Sequence, residues 1–213
     1  MKANRNVSLR GCLSVLVPYR RHHVKKYHQW MESEELRRLT ASERLTLYEE
    51  FEMQKQWQKD EDKCTFIILA KSLVDSGVTE TACMVGDVNL FLNAICDDPD
   101  SDDSRRTAEL EIMIAEKAFR HKGFGKEAAI LMMVFAVEVL RIGRFYVKIN
   151  RNNVVSIQMF DKLGFTFVSR DEYFNEVLMR LDLRCEVARS LAVRHHYECV
   201  DDYPPDRTSH PSV

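Results

Sequence analysis

The chain has 213 residues, 45% hydrophobic and 30% charged, with a net charge of −2 at pH 7. That is enough ordinary globular material for one domain with one sizeable core. The balanced charge leaves no electrostatic footprint for nucleic acid, and no apolar run is long enough to cross a bilayer, so neither is an expected partner.

Residues 7–19 read as a first strand, interrupted by Gly11 and closed by Pro18. The short apolar run at 12–17 is followed by Arg20 and Arg21, which is not the form of a secretory signal. The six cysteines (12, 64, 83, 96, 185 and 199) contain no CxxC pair and suit neither a zinc site nor a disulfide scaffold. Cys12, Cys64 and Cys83 fall in or beside apolar strand segments and are expected as buried, reduced thiols. A cytoplasmic location follows, with the nucleus as the alternative. Val24, Tyr27, His28 and Met31, at helical offsets, predict a short helix. His22-His23 and His28 invite a metal reading, but no third ligand is spaced to join them, and no metal is expected. Ser33 caps a turn over 34–39, and Thr46 with Glu49 has the capping-box form that opens a helix to about residue 58.

Residues 64–70 and 84–92 read as the second and third strands, with Asp75, Ser76 and Gly77 in the loop between them. Residues 93–107 carry Asp97, Asp98, Asp100, Asp102 and Asp103. They read as a solvated, mobile loop in preference to an acidic lip for a cationic substrate.

The stretch 108–140 organises the rest. An apolar fourth strand, 110–115, ends in a polar turn holding Arg120, His121, Lys122, Gly123, Phe124, Gly125 and Lys126. A long amphipathic pattern follows, carried by Ala129, Met133, Ala136, Val137 and Leu140. A helix begins with unpaired N–H groups and the positive end of its dipole. The glycines at 123 and 125 let backbone N–H groups face outward and let an anion come close. This is a place for a pyrophosphate. A P-loop needs Gly-Lys-Ser/Thr, and Glu127 follows Lys126. The dinucleotide pattern matches from Gly123 to Ala128, but the next strand, 145–149, ends in Asn150 and Arg151 with no ribose-binding carboxylate. A third reading is R-x-x-G-x-G, and the fourth is a tight turn with no ligand. Two further strands lie at 165–168 and 176–183, then a helical segment over 184–197, then a proline-bearing stretch, 201–213, expected to be disordered.

The R-x-x-G-x-G loop is similar to the coenzyme A loop of the GNAT acyltransferase superfamily. About 30 residues on, Asn153-Val154-Val155-Ser156 and Phe160-Asp161-Lys162-Leu163-Gly164-Phe165 resemble that superfamily's second signature, an asparagine, a short helix and a K-L-G-F entry to a strand. The segments Val17-Pro18-Tyr19, His28-Gln29-Trp30-Met31, Leu39-Thr40-Ala41-Ser42-Glu43 and Met84–Phe91 resemble its N-acetyltransferase 9 branch. The resemblance covers residues 7–183. It implies an α/β (α+β) fold: a central mixed, mostly antiparallel seven-stranded sheet flanked by helices, over a domain spanning 1–183, with 184–213 as a C-terminal helix and disordered tail.

The resemblance also implies a reaction, transfer of an acetyl group from acetyl-CoA to an amine, most naturally of a protein or peptide. It assigns backbone groups of Ile112, Met113 and Ile114 to the pantetheine arm, and those of Arg120, His121, Lys122, Gly123, Phe124, Gly125 and Lys126 to the pyrophosphate. Asn153 and Ser156 match the second signature. A backbone N–H of the fourth strand near Met113 would meet the thioester oxygen. Glu109 and Glu111 share a strand face and are the candidates for the base, Glu111 being nearer the expected opening. Trp30, Glu34, Glu35 and Trp57 would lie near the acceptor, although both tryptophans read more readily as core aromatics. Phe160 stands where the family commonly has a tyrosine that protonates the leaving thiolate, with Tyr146 and Tyr173 as substitutes of unknown position. That departure sustains a second reading, a module that keeps the acyl-CoA fold and contacts a partner, perceived in this family as cytoskeletal.

Overall fold

The computed structural model describes residues 1–92, 106–201 and 203–204. The acidic stretch at 93–105 and most of the tail expected to be disordered lie outside the described residues.

A nine-stranded sheet forms the centre, in the order β7-β8-β6-β5-β4-β3-β2-β1-β9. The strands are β1 Ser8–Arg10, β2 Ser14–Pro18, β3 Lys63–Ala70, β4 Met84–Leu92, β5 Thr107–Ile114, β6 Arg144–Asn150, β7 Thr166–Asp171, β8 Glu176–Asp182 and β9 Glu198–Val200. Two differences raise the expected seven strands to nine. Gly11 does not merely interrupt the first strand; it turns the chain back, so that β1 and β2 pair antiparallel. A strand too short to read from sequence, β9, then extends the edge by pairing with β1. Every pairing is antiparallel except β5 with β6, as the resemblance implied.

Helices cover both faces. On one lie α1 (Val24–Met31), α2 (Glu34–Leu39) and α3 (Leu47–Lys59). Ser33 accepts the Leu36 N–H, and Thr46 with Glu49 closes its capping box. The loop expected between β3 and β4 instead holds two short helices, α4 (Lys71–Asp75) and α5 (Glu80–Cys83). On the other face lie α6 (Phe124–Glu138), α7 (Val154–Lys162) and α8 (Cys185–Arg194). The sequence pattern predicts an amphipathic α6, yet every residue from Glu127 to Val137 is buried. The cause is α8, which packs across the helix face turned away from the sheet. Cys64 and Cys83 are buried as expected, but Cys12 is exposed because it sits in the β1–β2 turn.

One polar contact fixes α6 against the far edge. The Glu127 carboxylate, 3% exposed, accepts the backbone N–H groups of Cys12 (3.0 Å), Leu13 (2.8 Å) and Ser14 (2.8 Å) and the Ser14 hydroxyl (2.6 Å). A Cβ on Gly11 would lie 2.9 Å from that carboxylate, which explains the glycine. The start of α6, and the loop before it, are thereby held in place.

Candidate active site

The site forms where the sheet opens. β5 and β6 pair over three registers only, Thr107 with Arg144, Ala108 with Phe145 and Glu109 with Tyr146. Beyond them β5 runs on to Ile114 and β6 to Asn150 without pairing. The Ala115 N–H bonds the Val85 carbonyl at 2.9 Å. Strand backbone groups alternate in direction, so Met113 also faces β4, while the N–H groups of Ile112 and Ile114 face the departed β6. The open edge of β5 therefore consists of Ile112 and Ile114; Met113 itself, expected near the oxyanion position, is committed to the ladder.

A cleft of about 540 Å³ occupies the opening. All the residues expected to hold coenzyme line it except Lys122 and Phe124. Phe124 is buried edge-on against Phe119 with ring centroids 5.3 Å apart, so only its backbone faces the loop. Lys122 is exposed. His121 (φ 60°) and Gly123 (φ 92°) take left-handed conformations, and Gly123 starts α6 with no side-chain cap. The first N–H groups of α6 are thus directed into the cleft without an intrahelical or capping partner. At Gly125 an added Cβ would meet Ile114, Met159 and Ile112 at 3.6, 3.6 and 3.9 Å, ordinary contacts with cleft-lining side chains.

Arg120 does something other than present charge. Its Nε donates to the Ile114 carbonyl at 2.9 Å, its guanidinium reaches Ala115, and it pairs with Glu35 of α2 at 2.9 Å. It locks the loop to β5 and α2. Arg120 and Lys117 hold Glu35 below the usual carboxylate range. The resemblance implied that Glu34 and Glu35 of α2 lie near the acceptor; the residues of this segment that line the cleft are instead Leu36 and Leu39 of α2 and Thr40 just after it. Across the cleft, Asn153 caps α7 by accepting the Ser156 N–H at 3.2 Å.

The two glutamates separate. Glu109 pairs with Lys148 of β6 at 2.7 Å. The Glu111 carboxylate has no hydrogen bond or ion pair among the described residues. It keeps solvent access, yet the surrounding protein strips hydration from its carboxylate, and with Glu109's charge this lifts it to about 7. Such a group is half ionised near neutral pH. Trp30 is buried, its indole N–H donating to Glu116 at 2.9 Å, while Trp57 covers the Lys63 ammonium, 3.2 Å from the ring centroid. Phe160 is 3% exposed and packs edge-on against Phe165. Neither substitute reaches the cleft: Tyr146 is buried in β6 against Arg144, and Tyr173 stands 89% exposed in the β7–β8 turn.

Sequence spacing offers His22 and His23 no third ligand, but the fold brings up Glu80, whose Oε1 lies 2.6 and 2.7 Å from their Nε2 atoms. The Nδ1 of His23 accepts the Arg20 N–H at 3.0 Å. Neutral His23 must then carry its proton on Nε2, where it donates to Glu80. A metal-binding histidine shows the reverse, a lone pair toward the ion and its other N–H given away. The cluster reads as a hydrogen-bonded carboxylate, joined by the Tyr203 hydroxyl at 2.5 Å. Burial opposes its charge, but these donors hold Glu80 far below the usual carboxylate range.

Known proteins identify the family and the fold. Residues 14–166 match the family described as Acetyltransferase (GNAT) domain. An "Alpha/beta-tubulin-N-acetyltransferase 9" of Mus musculus is 49% identical over 183 residues, covering 85% of this chain and 73% of the relative. An "N-acetyltransferase 9-like protein" of Nematostella vectensis is 48% identical over 183 residues, covering 85% and 89%. Among solved structures, RimL, a ribosomal L7/L12 α-N-protein acetyltransferase in complex with coenzyme A, superposes with a TM-score of 0.62 at 15% identity, covering 81% and 96%. A GNAT-family acetyltransferase from Bacillus anthracis gives 0.60 at 10% identity, covering 82% and 98%. Both share the fold. With the family match spanning residues 14–166, and the splayed strands and uncapped helix start beneath it, the chain belongs to the GNAT acetyltransferase family and is an N-acetyltransferase.

Proposed function

We propose that this enzyme acetylates an amine of α/β-tubulin, with acetyl-CoA as donor, in the cytosol. The observation that carries the coenzyme half is the open β5 edge leading straight into the uncapped start of α6. The acceptor half rests on relatives named for α/β-tubulin at 48–49% identity over 85% of this chain. Five free cysteines among the described residues suit a reducing compartment. No helix is long and apolar enough to cross a membrane among the described residues.

The geometry suggests a division of labour. Acetyl-CoA supplies an activated acetyl group. The N–H groups of Ile112 and Ile114 and those at the start of α6 bind the donor along the splay, and one of the two β5 N–H groups meets the carbonyl oxygen as it gains charge. Glu111 takes a proton from the incoming ammonium, so that the amine attacks as a neutral nucleophile. Glu109, tied to Lys148, holds negative charge beside Glu111 and keeps its proton affinity near neutral. Phe160, which stands where the family commonly has the thiol-protonating tyrosine, has no hydroxyl and faces the core. The departing sulfur takes its proton from the attacking amine or from water.

The test is transfer of labelled acetyl from acetyl-CoA to purified tubulin and to peptides bearing its N-termini. Wild type labels tubulin, and Glu111→Gln slows the reaction by roughly 100-fold. The alternative, a partner-binding module on an acyl-CoA scaffold, draws on Phe160. It predicts tubulin capture without labelling, unaffected by Glu111→Gln.

A further inference from the structure

A set of polar side chains, buried except at its β5 end, lies on the acceptor side of the sheet, and the proposed reaction uses only that end. Lys63 and Thr65 of β3, Asp87 and Asn89 of β4, and Glu109 and Glu111 of β5 share the face beneath α1 and α3, as the registers Thr65–Asn89, Asn89–Glu111 and Asp87–Met113 require. Asp87 is therefore the diagonal neighbour of Glu111. It is 2% exposed, and its Oδ2 accepts the Asn89 amide at 2.7 Å and the Tyr27 hydroxyl at 3.5 Å. Asn89 is itself oriented by the Thr65 hydroxyl at 2.7 Å. Beyond Tyr27 stands Tyr19, ring centroids 5.2 Å apart. On the far side Glu50 of α3, 1% exposed, lies 3.8 Å from Nδ1 of His28. His28 Nε2 is 3.7 Å from Glu32, whose side chain is 45% exposed.

Four atoms along this path are buried without a hydrogen-bond partner: Asp87 Oδ1, the Tyr19 hydroxyl, Glu50 Oε2 and His28 Nδ1. A buried polar atom without a partner is rare, and in a polar layer its usual partner is an ordered water. Four in one layer, between a site carboxylate and a surface histidine, call for a shared chain of waters. We propose that this layer carries the acceptor's proton out of the site, from Glu111 past Asp87 and Tyr27 to Glu50, and into solvent at His28 and Glu32.

The reaction needs such a route. An ammonium acceptor gives up two protons as its nitrogen bonds the acetyl carbon and the carbon–sulfur bond breaks. One ends on the sulfur and one must reach solvent. Glu111 takes the latter, and an acceptor seated over β5 beside coenzyme in the splay would cover its own access to water. The groups facing the path are Lys63 from β3, Tyr27 and His28 from α1, Tyr19 after β2, Glu50 from α3, and Glu109 and Glu111 from β5, with Lys148 beyond. Desolvation raises Asp87 to about 6 and Glu50 above its ordinary value. Asp87 can therefore hold a proton in passing near neutral pH.

The inference rests on Glu111 as base, and the experiment separates the two. Asp87→Asn, Glu50→Gln and His28→Gln preserve shape and remove proton transfer. With purified tubulin as acceptor, or the N-terminal peptide the wild type acetylates fastest, each should lower kcat roughly 10-fold, leave KM for acetyl-CoA unchanged, and recover rate with added imidazole. A crystal structure should show ordered water on Asp87 Oδ1, Tyr19 and Glu50 Oε2. Variants within two-fold of wild type between pH 6 and 9, a loss of kcat that tracks thermal stability and resists imidazole, or a dry layer would each overturn the relay. An inert Glu111→Gln alongside unaffected relay variants would sink the route and leave the base; a fully active Glu111→Gln would sink both.

Discussion

Gly125→Glu pits the fold against the ligand. Gly125 is the second residue of α6 and has ordinary helical backbone, so a side chain there imposes no strain. Its Cβ meets only the cleft-lining Ile114, Met159 and Ile112, at 3.6 Å or more. Replacing a helical glycine gains roughly 0.5–1 kcal/mol, and an acid in the first turn adds about 0.3–1 kcal/mol through the helix dipole. For a chain of this length, about 1 kcal/mol moves Tm by roughly 2–4 °C, so the variant should melt slightly higher than wild type. Coenzyme binding should move the other way. Beyond Cβ the side chain has only the cleft to enter. A carboxylate about 5 Å from a diphosphate charge, at an effective dielectric of about 20, costs roughly 3 kcal/mol, or about 100-fold in Kd. Gly125→Ala, which adds only the methyl the cleft tolerates, should bind within about three-fold of wild type. Calorimetry with coenzyme A and a thermal melt read both quantities. A folded Gly125→Glu protein that binds coenzyme A like wild type would refute this loop as the diphosphate site.

Glu127→Gln keeps the size but sets an amide NH2 against the donors of Cys12, Leu13 and Ser14. It should cost about 2–4 kcal/mol, seen as a Tm drop of roughly 10 °C. Phe160→Tyr puts a hydroxyl into the contact with Phe165; it should destabilise by about 1–3 kcal/mol in denaturant titrations and leave kcat no higher. The rate should rise with pH through about 7 as Glu111 ionises. Glu109→Gln removes a charge that raises Glu111, so the midpoint of the acid limb should shift down, measured as kcat/KM against pH. Burial raises Asp87 from 3.8 to about 6, so the folded state holds its proton more tightly than the unfolded one. That stability is complete below about pH 4 and lost as pH rises through about 6. Asp87→Asn should therefore match or exceed wild-type stability at pH 8, by up to about 3 kcal/mol in chemical denaturation.

What could be read before the fold was seen follows from where information sits along the chain. The coenzyme loop is local: its glycines, its turn and the helix after it are consecutive, and the cap residues Ser33, Thr46 and Glu49 do in the structure what their spacing says. The alternation of β5 likewise put Glu109 and Glu111 on one face. What could not be read is nonlocal. Glu35 and Arg120 are far apart in sequence, and only the fold makes the Arg120 side chain a brace between loop and helix. Glu80 joins His22 and His23 from another element, and the tautomer that argues against a metal depends on a backbone N–H from Arg20. The buried residues of α6 look amphipathic until α8 covers them.

The polar layer under α1 and α3 is the extreme case. Asp87 and Asn89 alternate with Val88 and Leu90 as any half-buried strand would, and nothing in that alternation marks the polar side as buried. Burial comes from helices contributed by residues 24–59, and with burial come the raised proton affinities. A sequence therefore announces a backbone site through glycines, because backbone exposure needs them. A side-chain proton path has no such signature. Its members are ordinary acids, tyrosines and a histidine, and the path exists only after packing has removed water from those between its two ends.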